Sequence, residues 1–264
     1  MSVYNSNGVK IADVGSSSGT NFDYDKIIKS INHRGYNSIA PENTLPAFKL
    51  SKKKGFNYVE TDVSWTKDGY PVLCHETTVD NLSNGTGNLA DKTLEELRAL
   101  DFGSWKSVEY TGTQIPTFEE FIALCKNIGL HPYIEFKKGT YDDVNVKKLV
   151  DIVRDYGMLD KVTWIQFYGG GLTYVRTYDE NARLGIIGSI NVELAKELGG
   201  DVFFIMDSYS VTDENVETAK AENIPLEVYS IHSDAQVTAM NPYVTGMTTD
   251  TIIAGKVLYD ANIN

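Results

Sequence analysis

Very little in this 264-residue sequence could staple or anchor a fold from outside its core. It has only two cysteines, Cys74 and Cys125, far apart and outside any C-x-x-C or metal-ligand spacing. That argues against a disulfide framework and against a thiolate zinc site; two buried free thiols are expected instead. Seven prolines and 22 glycines are ordinary numbers, which excludes collagen-like and low-complexity chains. No stretch reaches the ~18 consecutive apolar residues of a membrane span, so no integral membrane segment is expected. The opening residues, MSVYNSNGVK, lack a basic segment followed by an apolar one. No signal peptide is therefore visible, and a cytoplasmic protein or a trimmed secreted one would read alike. Cationic excess is missing too: 24 Lys and Arg against 36 Asp and Glu give a net charge of -12. Nucleic acid and anionic lipid surfaces are poor partners for such a chain. A small anionic substrate would need a local positive centre, which hints at a bound cation.

With 42% hydrophobic and 23% charged residues, the chain is an ordinary globular one, long enough to bury a full core. Residues 1–28 are polar and rich in small side chains, VGSSSGTN most of all, and read as an N-terminal extension or linker that forms a short hairpin or stays mobile. From residue 29 to 264 short β-branched or aromatic runs alternate with helical-period segments. The strands are expected at 30–33, 57–62, 131–136, 161–166, 184–187, 202–206, 226–230 and 243–247. The helices are expected at 44–54, 117–128, 142–156, 170–180, 191–198, 211–222, 233–240 and 250–260. Thr44 can open the first helix, while Lys52, Lys53 and Lys54 crowd its last turn before Gly55. That basic run is helix-end chemistry, not a binding patch. Eight strand–helix alternations point to an α/β fold with a parallel sheet, and eight is the number that closes a (β/α)8 TIM barrel. The rhythm breaks once, over about 66–116. There a turn at Asp68-Gly69, an extra strand and a short helix near 93–100 form an insertion after strand two. Loops after barrel strands lie on the active-site face, so this insertion is a natural lid or substrate wall.

Barrel enzymes place their chemistry at the C-terminal ends of the strands. Strand one ends in His33-Arg34-Gly35, strand two in Glu60-Thr61-Asp62, and strand three in Glu135-Phe136-Lys137. Side chains alternate along a strand, so Glu60 and Asp62 share a face, as do Glu135 and Lys137. Three carboxylates from neighbouring strands cannot share a partly buried mouth unless some are protonated or a cation lies among them. All-oxygen ligands favour a hard ion, Mg²⁺ or Ca²⁺. The alternative is a purely structural set of ion pairs with strand-end Lys and Arg. His75 follows the extra strand. Paired with His33 it would supply the base and the acid that cleavage of a phosphodiester requires near neutrality. His131 begins a strand at the wrong end of the barrel, and His232 lies in the loop after strand seven, where it could touch substrate.

These residues carry a resemblance. His33-Arg34-Gly35, Pro41-Glu42-Asn43-Thr44, Ala47, Gly55, Glu60-x-Asp62-Val63, Thr66-x-Asp68-Gly69-x-Pro71-Val72 and His75 resemble the N-terminal signature of the glycerophosphodiester phosphodiesterase family. Ile115-Pro116-Thr117-Phe118-Glu119-Glu120 and Ile134-Glu135-Phe136-Lys137 resemble its next two blocks. Strong similarity covers roughly 30–137. The resemblance implies a (β/α)8 fold, a divalent cation held by Glu60, Asp62 and Glu135, and His33 and His75 as the acid/base pair. It also implies phosphate contacts from Arg34 and Lys137, and a small glycerophosphodiester as substrate.

The sequence departs from the family where Glu76 replaces the aspartate after the second histidine. Gln166-Phe167 stands for a serine-phenylalanine, and Tyr229-Ser230-Ile231-His232 for a tryptophan-threonine-valine-asparagine segment. Thr249-Asp250 retains the family's threonine-aspartate. The changes in the second half fall on the alcohol side of the expected pocket, so they bear on the substrate and not on the reaction. Two other readings stay open: the same chemistry on polymeric glycerol phosphates or lysophospholipid-type diesters, and an inert barrel used for binding. Phe102 and Trp105 of the insertion would line a groove under the first of these, or else pack beneath a loop.

Overall fold

The computed structural model describes residues 2–4, 10–13, 23–137 and 141–263. Near the N-terminus Ser2–Tyr4 pairs antiparallel with Lys10–Asp13, a short hairpin, while VGSSSGTN lies outside the described residues. Eight parallel strands follow: β1 (Lys29–Asn32), β2 (Tyr58–Trp65), β3 (His131–Phe136), β4 (Thr163–Phe167), β5 (Arg183–Ile187), β6 (Val202–Asp207), β7 (Leu226–Ile231) and β8 (Val244–Thr249). Each pairs with the next, and β8 returns to β1, so the sheet closes into the expected (β/α)8 barrel.

Helices α1 (Leu45–Lys53), α2 (Phe118–Ile128), α3 (Asp143–Asp155), α4 (Leu172–Tyr178), α5 (Val192–Leu198), α6 (Asp213–Ala221), α7 (Asp234–Ala239) and α8 (Ala254–Ile263) occupy the crossovers. Local sequence sets their ends. Thr44 caps α1, whose last turn carries Lys52 and Lys53. Lys52 Nζ donates to the Gly129 carbonyl at 3.0 Å and to Asn57 Oδ1 at 2.8 Å, so the basic run closes a helix end as expected. Thr117 and Glu120 form a capping box at α2, which Gly129 ends in the left-handed region at φ +67°.

Alternation along the strands builds two apolar layers. Outward residues such as Val59, Ile134, Trp164, Leu184, Phe204 and Val228 pack beneath the helices in the main core. Inward residues Ile31, Tyr133, Ile165, Ile187, Phe203 and Ile205 fill the barrel. Below them the sequence hides a feature its pattern did not announce. Glu227, 2% exposed, accepts from Lys29 (3.2 Å), Arg183 (2.9 Å) and Tyr133 Oη (3.2 Å), plugging the N-terminal end with a charge cluster. Gly246 makes room for it, since a Cβ there would lie 2.7 Å from Glu227 Cδ.

β2 runs three residues past its expected end because the insertion continues its ladder. Pro71–Leu73 turns back antiparallel on Val63–Trp65, after a turn in which Thr66 Oγ1 donates to Asp68 Oδ1 and Gly69 sits at φ +78°. The rest of the insertion, with its helix Leu94–Arg98, folds around its own cluster of Val72, Cys74, Val79, Leu89, Leu97, Phe102 and Ile115. Both cysteines are free and buried. Among the described residues no helix is long and apolar enough to cross a membrane.

Removing one partner of a buried charge cluster leaves the others uncompensated. Glu227→Ala is expected to cost about 3 kcal/mol in urea unfolding. A change below about 0.5 kcal/mol, the range of an ordinary surface substitution, would show that the plug is not structural.

Candidate active site

At the C-terminal mouth the structure gathers all seven residues that the sequence nominated. Glu60 and Asp62 on β2 and Glu135 on β3 are buried, and one oxygen from each lies within 4.8 Å of the others. The surrounding donors are specific. The backbone N–H of Arg34 donates to Glu60 Oε2 at 2.9 Å. That aim requires Arg34 to adopt φ +53°, a left-handed conformation that costs a non-glycine residue on the order of 1 kcal/mol. Gly35 follows at φ +78°, where a Cβ would meet Ala47 Cβ at 2.8 Å. The HRG turn is thus a device for pointing one amide at one carboxylate. Its arginine side chain reaches Glu42 at 3.0 Å and Asp62 at 3.3 Å.

The PENT segment buttresses the same carboxylates. Asn43, at φ +53°, donates from Nδ2 to Asp62 Oδ2 at 2.9 Å and accepts from Thr61 Oγ1 at 2.7 Å. Glu42 pairs with Arg34, and Thr44 Oγ1 donates to the Pro41 carbonyl. On the far side, Lys137 Nζ lies 2.7 Å from Asp62 and 2.6 Å from Glu135.

Electrostatics separates the three acids. Burial, with Asp62 and Glu135 alongside, pushes the Glu60 carboxyl up to about 8. Burial and the neighbouring Asp62 also raise Glu135, with Lys137 opposing. For Asp62 burial acts in the same upward direction, but Lys137, Arg34 and His75 outweigh it and lower it. Glu60 Oε1 is buried and has no hydrogen-bond partner among the described residues. An orphaned carboxylate oxygen facing two more carboxylates is the donor set a hard divalent cation takes. The residues therefore fit such an ion.

Both nominated histidines stand at this mouth, each with Nδ1 held by a carboxylate. His33 Nδ1 lies 3.1 Å from Asp250 Oδ1, and Asn37 Nδ2 donates both to that oxygen (2.9 Å) and to the His33 carbonyl (3.0 Å). Burial works against the charge on His33, but Asp250 and Glu60 overcome it and raise it above its ordinary value. His75 Nδ1 lies 2.8 Å from Glu76 Oε1, so the glutamate that departs from the family pattern still reaches its histidine. The N–H of Cys74 donates to the Asp62 carbonyl at 3.0 Å, which carries His75 to the acid cluster. His131 lies at the opposite end against Tyr58, as its position on β3 implied. Sequence reading noted Asp250 only as a retained motif and overlooked Asn37. Their signal is weak because His33 and Asp250 meet across 217 residues.

Phe102 is buried in the insertion's cluster, whereas Trp105 is 41% exposed and donates from its ring N–H to the Phe102 carbonyl; both border a small cavity beside Glu42 and Asn43. The strand ends and the site together define a (β/α)8 barrel whose mouth carries an acidic cluster that could hold a metal ion, with two carboxylate-backed histidines beside it. Comparison with known proteins gives the class its family: the pattern of the glycerophosphoryl diester phosphodiesterase family matches residues 33–254, and the chain belongs to it. A glycerophosphodiester phosphodiesterase of Caldanaerobacter subterraneus subsp. tengcongensis is 34% identical over 159 residues, 60% of this chain and 65% of that protein. Glycerophosphodiester phosphodiesterase 1 of Bos taurus is 38% identical over 47% of this chain, and the match spans 38% of its own length. Each match thus covers less than two thirds of the relative. Among solved structures, an Oleispira antarctica phosphodiesterase in complex with the product sn-glycerol-3-phosphate superposes with a TM-score of 0.76. It is 23% identical, covering 88% of this chain and 96% of its own, and so bears on the fold.

The shifted acids yield a stability test. Glu60 is raised in the folded state, so its contribution to stability is full below about pH 4.5 and is lost as pH rises through about 8. Glu135 shifts in the same direction. EDTA-treated protein is expected to lose more unfolding free energy between about pH 5 and about pH 8 than Glu60→Gln does, with added Mg²⁺ or Ca²⁺ restoring it. Parallel denaturation curves for the two proteins would show that Glu60 carries no displaced proton.

Proposed function

We propose that the protein hydrolyses glycerophosphodiesters to glycerol 3-phosphate and an alcohol, in a reaction that depends on a divalent cation. The observation that carries this reading is the convergence at one barrel mouth of three buried carboxylates, two carboxylate-backed histidines, and the cations Arg34 and Lys137. Family membership supports it.

Glu60, Asp62 and Glu135 would hold the ion, Mg²⁺ or Ca²⁺. When bound it would place positive charge against the phosphoryl oxygens, where negative charge builds in the transition state. Arg34 and Lys137 stand on either side of Asp62 and can add their charge to the same phosphate. With Nδ1 of each histidine engaged by Asp250 or Glu76, Nε2 is the atom left to exchange a proton. One histidine takes the proton of the nucleophile, either water or the glycerol 2-hydroxyl, and the other protonates the departing alkoxide. The carboxylates behind them fix the tautomer and stabilise the protonated ring, so neither proton needs a long path.

An inert barrel used for binding has no physical reason to gather these groups, since each buried charge costs desolvation unless function requires it.

His33→Ala and His75→Ala are each expected to lower kcat by about 10²–10⁴-fold with little change in the urea midpoint. Glycerol 3-phosphate release from glycerophosphocholine and glycerophosphoethanolamine should vanish in EDTA and return with Mg²⁺ or Ca²⁺. Normal turnover by either variant would sink the histidine assignment, and turnover indifferent to EDTA would sink the cation.

A further inference from the structure

The support behind His33 extends past the carboxylate that meets its ring. The ladder between β8 and β1 ends with Thr249 opposite Asn32, and Asp250 is the next residue. Two buried side chains take over where the ladder stops. Asn32 Nδ2 donates to the Thr249 carbonyl at 3.1 Å and to the Asp250 carbonyl at 2.8 Å, and Asn32 Oδ1 accepts from Ser51 Oγ at 2.6 Å. Asn32 and Ser51 are fully buried, and their partners leave one orientation for the amide, with carbonyls at its nitrogen and a hydroxyl at its oxygen. The His33 N–H donates to the Thr249 carbonyl at 2.9 Å, so the main chains of the histidine and the aspartate are set against each other.

What this network leaves free is the Asp250 side chain. It is 37% exposed, and among the described residues its carboxylate meets two hydrogen-bonding groups, His33 Nδ1 at 3.1 Å and Asn37 Nδ2 at 2.9 Å, both on Oδ1. A half-exposed carboxylate with one partner is free to swing into water, and a second donor on the same oxygen restrains it. The same Asn37 nitrogen donates to the His33 carbonyl at 3.0 Å. One amide thus ties the main chain of the histidine to the oxygen that faces its ring. Asn37 itself lies on the turn that aims Arg34 at Glu60, its N–H donating to the Gly35 carbonyl at 2.7 Å. His75 has no such third member. Glu76 is its sequence neighbour, 47% exposed, and among the described residues the Glu76 carboxylate has His75 alone as a hydrogen-bond partner.

We propose that Asn37 is a positioning residue for the reaction: it holds Asp250 Oδ1 on His33 Nδ1 and so fixes the direction in which His33 Nε2 exchanges its proton. The inference rests on the function proposed above and deepens it. The hydrogen bond at one ring nitrogen decides which tautomer the other presents, and misplacing a reacting group by a fraction of its own size slows a reaction steeply. Asn37 meets His33 at its main chain only, so its effect on the ring passes through Asp250.

The test is a double-mutant cycle on the cation-loaded full chain, with glycerophosphocholine as substrate. Asn37→Ala is expected to lower kcat about tenfold with KM within about twofold of the wild type. Asn37→Asp keeps the shape but offers Asp250 no donor, and should lose at least as much. In an Asp250→Ala background the Asn37→Ala change should cost less than about twofold, because its route to the ring is gone. A kcat unchanged by both Asn37 variants would overturn the inference, and so would a loss that persists at full size without Asp250. A raised KM at unchanged kcat would make Asn37 a substrate contact and overturn it as well. Nitrogen NMR of the neutral imidazole reads the same geometry without turnover. His33 is expected as a single tautomer protonated at Nδ1 in the wild type, with an Nε2-protonated fraction emerging in Asn37→Ala. The same single tautomer in both would count against the inference decisively. A wild type that cleaves no ester with any cation, yet shows this tautomer change, would remove the phosphodiesterase reading and leave the hold of Asn37 on the ring standing.

Discussion

Three carboxylates confined within 4.8 Å and shielded from water repel one another strongly, and much of the upper barrel can be understood as the means of tolerating that repulsion. The left-handed turn at Arg34 spends backbone strain to supply an amide to Glu60. Asn43 takes a similar conformation to supply its own amide to Asp62. Arg34 and Lys137 bracket Asp62, which lets it stay ionised while Glu60 and Glu135 are driven the other way. Segments that look unrelated in the sequence, HRG, PENT and the strand-three lysine, therefore answer one electrostatic problem.

Much of this was legible before any coordinates. The strand–helix rhythm specified the barrel because several crossovers carry their own punctuation, such as Thr44 before α1 or Thr117 and Glu120 at α2. The acids were legible because strand alternation fixes which side chains share a mouth. Partnerships that close only in three dimensions were not. Asp250 reaches His33 from the far end of the chain, and Glu227 gathers Lys29, Tyr133 and Arg183 from three other strands. No local period or spacing marks such contacts. The extension of β2 to Trp65 escaped notice for a different reason: it exists only because Pro71–Leu73 folds back to pair with it.

The two ends of the barrel use charge in opposite ways. At the bottom the Glu227 carboxylate is matched by two cations and a phenol hydroxyl, so its charge is compensated and the cluster serves to seal. At the top the acids outnumber their partners, and Glu60 keeps an oxygen with none among the described residues. A carboxylate compensated by cations is architecture, and carboxylates in excess of their cations are readiness for a ligand. The contrast lies within one chain and one inward-facing column of side chains.

The insertion has its own apolar cluster, separate from the core beneath the barrel helices. His75 stands on the insertion, whereas His33 stands at the end of a barrel strand. The spacing of the proposed acid and base is therefore set across a seam between two packing units, closed by the short ladder from Val63 to Trp65, the Cys74 amide, the Val72–Thr117 bridge and the Arg98–Glu120 ion pair. Units with separate cores open at separate free energies. Heating would then part the two histidines before it melts the barrel, and tightening that seam would hold them together to a higher temperature.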